Sequence, residues 1–131
     1  MAAIDACLSN VLSHGDVLIV SRNVYGGGYQ LLHDYFARSN RMDIQIAWFD
    51  GYDAQSFAEF MQQTKTEHAS RLNNGAKMHV YLESPCNPHG YVLDVPGICE
   101  LAHAQDALVM LDSTLATPVL HQPLQHKNKA A

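Results

Sequence analysis

The sequence predicts an α/β fold: three layers, α/β/α, around a mainly parallel sheet. Three observations predict it. Val17–Val20 and Ala107–Leu111 are solid apolar runs, the pattern of strands buried on both faces, and Met78–Leu82 reads as a further strand. Segments of helical period alternate with them, as in parallel sheets covered by helices. The 131 residues are 47% hydrophobic and 16% charged, which excludes a disordered chain and allows one ordinary domain with a sizeable core.

The elements follow in order. Residues 2–14 read as a helix with Ile4, Leu8, Val11 and Leu12 on one face, stopped at His14-Gly15-Asp16 with Gly15 at the C′ position. The first strand follows. Gly26-Gly27-Gly28 then lead into a second helix marked by Tyr29, Leu32, Tyr35 and Phe36, and residues 44–49 form a second strand. Asp53 is an N-cap for a third helix that buries Phe57, Phe60 and Met61. The polar stretch 64–76 ends in the turn signal Asn73-Asn74-Gly75, before the third strand. Residues 84–90 are a long loop. Asp94 caps a fourth helix, where Pro96 is tolerated in the unbonded first turn. After the fourth strand and Pro118 the pattern decays, and 121–131 has no clear period.

Several classes of function are excluded or disfavoured. Eight Lys and Arg against thirteen Asp and Glu give a net charge of −5, so no basic stripe is available for a nucleic-acid backbone. No apolar run is long enough to span a bilayer. The opening MAAIDACLSNVLSHGD lacks a basic n-region and does not read as a secretory signal. Cys7, Cys86 and Cys99 form no Cys-x-x-Cys pair, which fits reduced thiols and a cytoplasmic location. Eight histidines make no metal-ligand cluster, so no metal site is expected, and His33, His79 and His103 read as surface or satisfied groups. Met1, Met42, Met61, Met78 and Met110 read as core filling. The glycines miss the dinucleotide pattern because Leu31 takes the last position. Cys86 has no paired His and reads as an inert or incidentally reactive thiol.

Ligands of open parallel sheets sit beyond the carboxyl ends of the strands. There the sequence places Ser21–Tyr25, Asp50-Gly51, Glu83–Asn87 and Asp112–Thr114. Asp112 follows a dry strand directly and is costly to desolvate without a partner: a protonated ring nitrogen, a metal ion or an Arg. Taken alone, Tyr25 also fits an interface aromatic, Asn87 a turn former before Pro88, and Asp112 a helix cap.

Four stretches, MAAID, VYGGGYQLL, YLESPCNPHGYVLDVPGICELAH and VMLDSTLATPVLHQPL, resemble the cystathionine γ-synthase / methionine γ-lyase family of pyridoxal 5′-phosphate (PLP) enzymes in order and spacing over nearly all of residues 1–125. The resemblance implies the fold-type I (aspartate-aminotransferase-like) large domain. It implies that Tyr25 stacks on the PLP ring, that the Asn87 amide hydrogen-bonds the cofactor's 3-oxygen, and that Asp112 pairs with the pyridinium nitrogen. Met1 matches the Met of the family's Ser-Gly-Met turn, whose backbone N–H binds the phosphate at a helix N-terminus. Glu83 and Thr114 stand behind these as supporting residues. The implied activity is trans-sulfuration: making or breaking carbon–sulfur bonds of cysteine- and homocysteine-type amino acids. The implied parent is a homodimer or homotetramer with shared active sites.

The departures matter as much. The family's Schiff-base lysine lies in a Ser-x-Thr-Lys segment downstream of the Asp, and Lys65, Lys77, Lys127 and Lys129 all lack that context. The Ser-Gly before Met1 and the substrate-carboxylate Arg have no counterpart. Ser113 replaces the more usual Asn, and residues 64–76 look longer than the common loop. The expectation is a partial PLP-binding large domain over 1–131, incomplete at both ends and with no catalytic residue of its own, so that the isolated chain is inactive. Two rivals stay open: a truncated remnant without catalysis, and a flavodoxin-like nucleotide-binding domain. A partial sheet would also leave hydrophobic strand edges open.

Overall fold

Five-residue β1 (Val17–Ser21) and six-residue β3 (Met78–Glu83) are buried at every position, as their apolar runs require. In the computed structural model, which describes residues 1–125, they form the middle of a four-stranded sheet. β2 (Gln45–Phe49) and β4 (Val109–Asp112) flank them in the order β2-β1-β3-β4. All three pairings are parallel, with Val17 opposite both Gln45 and Met78, and Glu83 opposite Asp112. The expected three-layer α/β/α class is thus observed.

The helices divide between the two faces. On one, α1 (Ala2–Val11) and α2 (Gly26–Leu31), with the residues that continue it, pack Leu8 and Leu32 with Leu18, Val20, Tyr81 and Met110 of the sheet. On the other, α3 (Ala54–Glu67) and α5 (Val95–His103) bring Phe57, Met61, Ile98 and Cys99 against Val17, Ile19, Val80 and Val109. The expected caps form: Asp53 accepts the Ser56 N–H at 2.7 Å and Asp94 accepts the Gly97 N–H at 3.1 Å.

The structure corrects several boundaries. α1 stops at Val11 because Leu12 turns extended, and Gly15 lies beyond it with φ +85° in the turn closed by Asp16 N–H to the Ser13 carbonyl. The second helix is α-helical only to Leu31 and continues from Leu32 to Phe36 as a π-helix. The polar stretch from 64 is mostly helical: α3 continues to Glu67, and a short α4 (Ala69–Asn73) follows. There Arg71 pairs with Asp43 at 2.9 Å, a long-range contact that local polarity does not reveal. The fourth predicted helix is therefore α5, and the last strand starts at Val109, since Leu108 is exposed. Beyond β4 come α6 (Thr117–Leu120) and a 3₁₀ turn at Pro123–Gln125. Lys127, Lys129 and the end of the unpatterned tail lie outside the described residues.

At the amino end of the sheet His79 is 3% exposed, its Nδ1 accepting the Leu108 N–H at 3.3 Å. Burial holds its pKa below the usual 6.5; Asp16 opposes this and Lys77 reinforces it. A folded state that binds this proton less readily than the unfolded chain loses stability as pH falls through the unfolded His value. Lowering the pH from 7.5 to 6 is therefore expected to lower the unfolding midpoint. A His79→Gln variant should lose most of that slope in the same denaturation series.

Candidate functional site

The strand order reverses between β1 and β3: the chain leaves β1 toward β2 on one side and returns to β3 on the other. Connections peel apart at such a point and leave a crevice at the carboxyl ends of the strands. A cleft of about 480 Å³ opens here. It is lined by Met1, Ile4 and Cys7 of the first helix, Tyr25 after β1, Tyr81 and Glu83 of β3, Asn87 beyond it, and Asp112 and Thr114 at the end of β4. All six residues singled out from the sequence line this one cleft.

Each is placed by its element. Met1 is the N-cap residue of α1, and no side chain among the described residues caps that helix end. It is 54% exposed at the cleft, which corrects the expectation of a core methionine. Met61, Met78 and Met110 are buried. Tyr25 begins α2, and its ring reaches the cleft because position 27 has no side chain. A Cβ there would lie 2.6 Å from the Tyr25 ring and 2.8 Å from Met1 Sδ. Asn87 sits in the loop after β3, where the bonds Ser84–Pro85 and Asn87–Pro88 are both cis. Asn87 is exposed, while neighbouring Cys86 is 1% exposed and faces inward.

The carboxylates differ from expectation. Asp112 is only half-buried, and no Lys, Arg or His among the described residues pairs with it. Its Oδ1 accepts both the Thr114 N–H at 3.0 Å and the Thr114 hydroxyl at 2.5 Å. Oδ2 takes no hydrogen bond from the described residues. The desolvated carboxylate is instead Glu83, 4% exposed. β4 is an outer strand and opens its end to the cleft, whereas Glu83 ends an inner strand with neighbours on both sides. Burial raises the Glu83 pKa; the N–H groups of Tyr25 and Asn87 lower it, and Asp112 adds a smaller upward push.

Two cleft residues were missed in the sequence. Cys7 lies on the helix wall, and burial raises its thiol pKa. The Tyr81 hydroxyl is buried with no hydrogen-bond partner among the described residues. Burial first, then Asp112, Glu83 and Cys7, push its pKa up, so it stays a neutral donor. The signal for Tyr81 was available: it stands two residues before Glu83, hence on the same face of its strand.

The cleft thus offers an aromatic wall, an exposed amide, a carboxylate with an open oxygen and an uncapped helix N-terminus. That donor set suits a flat, protonated heterocycle carrying an anionic group. Residues 1–128 match the model of the family described as Cys/Met metabolism PLP-dependent enzyme. The chain belongs to the Cys/Met-metabolism family of PLP-dependent enzymes.

Relatives in this family include a chloroplastic cystathionine beta-lyase of Arabidopsis thaliana, 30% identical over 95% of this chain and 24% of that protein. An O-succinylhomoserine sulfhydrylase of Pseudomonas aeruginosa is 33% identical over 95% of this chain and 27% of that protein. Among solved structures, metB from Corynebacterium glutamicum superposes with a TM-score of 0.76 at 23% identity, covering 95% of this chain and 29% of that one. A cystathionine gamma-lyase from Micromonospora echinospora gives 0.70 at 28% identity, covering 94% and 28%. The chain spans about a quarter of the length of the curated family members it matches. No helix among the described residues is long and apolar enough to cross a membrane.

Proposed function

We propose that this chain is the cofactor-cradling part of a PLP-dependent trans-sulfuration enzyme that acts on carbon–sulfur bonds of cysteine- or homocysteine-type amino acids. The observation that carries this reading is the convergence of Tyr25, Asn87, Asp112 and the start of α1 on one cleft at the β1/β3 reversal. In the loaded site PLP would supply an electron-withdrawing ring for the substrate's α-carbon, a capacity that depends on a protonated ring nitrogen. Asp112 would hold that proton through its open Oδ2, while Thr114 fixes the other oxygen. Tyr25 would offer its ring to the flat cofactor and shield it from water. The Asn87 side chain would donate to the 3-oxygen, and the first N–H groups of α1, beside Met1, would take the phosphate.

The described residues would bind and orient, but no lysine side chain among them reaches the cleft for covalent attachment. Lys65 donates to Gln105 at 2.6 Å in the outer helix layer. Lys77 immediately precedes β3, at the far end of the sheet from the cleft. Cleavage and sulfur transfer are both represented among the relatives' names, so the proposal stops at the trans-sulfuration class. Three free thiols fit a reducing, cytoplasmic setting.

The test uses the full chain and 4′-deoxypyridoxine 5′-phosphate, which carries the ring and phosphate but no aldehyde. Isothermal titration is expected to show saturable one-to-one binding, competed by PLP. Absence of saturable binding would reject the cofactor reading.

A further inference from the structure

We propose that Glu83 is a positioning residue that fixes the spacing between the Tyr25 loop and the Asn87 loop, so that the cleft is assembled before a ligand enters. Its Oε2 accepts the Tyr25 N–H at 2.5 Å, and its Oε1 accepts the Asn87 N–H at 2.8 Å. These two amides belong to the loops that follow β1 and β3, the two strands flanking the reversal of order. One carboxylate therefore closes the crevice from both sides, with one oxygen for each wall.

The arrangement is costly, which is why it calls for a role beyond packing. The side chain is 4% exposed, has no cationic partner among the described residues, and lies in register with Asp112, a second carboxylate. Only backbone dipoles hold its charge. A well-packed apolar residue commonly serves stability at such a position as well or better. It could not satisfy two N–H groups at once.

Neither near relative of the side chain can replace it. Glutamine has one acceptor oxygen, and its NH₂ would face a second donor. Aspartate keeps the charge and both oxygens but is one methylene short. The backbone of Glu83 is itself tied down, its N–H donating to Ser21 Oγ at 3.1 Å, so the strand cannot shift to make up the reach.

The ligand arm of the test rests on the cofactor reading; the amide arm does not. Glu83→Gln and Glu83→Asp are made in the full chain. Hydrogen exchange of the Tyr25 and Asn87 amides is measured by NMR beside the titration with 4′-deoxypyridoxine 5′-phosphate. In each variant at least one of the two amides is expected to exchange roughly tenfold faster, with ligand affinity about tenfold weaker. Amides in the middle of β1 and β3 should keep their wild-type rates.

Wild-type exchange at both amides in either variant overturns the proposal. So does wild-type affinity in Glu83→Asp, which would make charge and not spacing the requirement. Faster exchange throughout β1 and β3 overturns it too, because it would mark a purely structural group. Should Glu83→Gln not fold, Glu83→Asp decides alone. If the wild-type chain binds no ligand, the cofactor reading falls and the two amides still decide the clamp.

Discussion

Replacing Asp112 with Asn is expected to weaken binding of 4′-deoxypyridoxine 5′-phosphate by about 2 kcal/mol, roughly 30-fold. This is the low end of the cost of removing one partner from a desolvated charge pair. The low end applies because Asp112 is half-buried and faces an open cleft. The amide oxygen still accepts from Thr114, so the loop should hold its shape while the charge is gone. Unfolding of the unliganded variant should stay within about 0.5 kcal/mol of wild type. Unchanged affinity in the titration would remove the electrostatic basis of the proposed cofactor site.

The largest effect on stability is expected from Phe57→Ala. Phe57 is fully buried on α3, edge-on to Phe49 of β2 with ring centroids 5.3 Å apart and an interplanar angle of 86°. Truncation leaves a cavity between the helix layer and the outer strand, where few groups can collapse into it. Such changes cost about 3–5 kcal/mol, against total stabilities of about 5–15 kcal/mol. Urea denaturation should show the midpoint falling accordingly, with an unchanged slope if only the folded state is affected. A loss below about 1 kcal/mol would contradict the packing described for this face.

What could be read from the sequence depended on how local its cause is. The runs in β1 and β3 announce burial on both faces, and they occupy the two inner positions. Asp53 and Asp94 cap their own helices three residues on, so their roles needed no tertiary knowledge. The helical character of 64–73 was hidden because Arg71 is held by Asp43, far away in sequence. The motif resemblance supplied Tyr25, Asn87 and Asp112, and chain order alone could not have brought them to one cleft. The desolvation argument was applied to Asp112, which is half-buried, and passed over Glu83, which is buried. It needed the strand order, which puts Glu83 between neighbours and leaves Asp112 at a margin. Nothing local in the sequence says that one glutamate reaches across 58 positions to the Tyr25 amide.

The bare backbone at Gly27 has a consequence for how this region can vary. One added methyl carbon would collide with an aromatic ring on one side and a thioether sulfur on the other. The close approach of Tyr25 and Met1 thus leaves room for no more than a hydrogen at this position, and any larger group would have to push the tyrosine or the methionine aside. Neighbouring Gly26 meets no such crowding. Of these two adjacent glycines, only the second is dimensionally constrained by what stands around it.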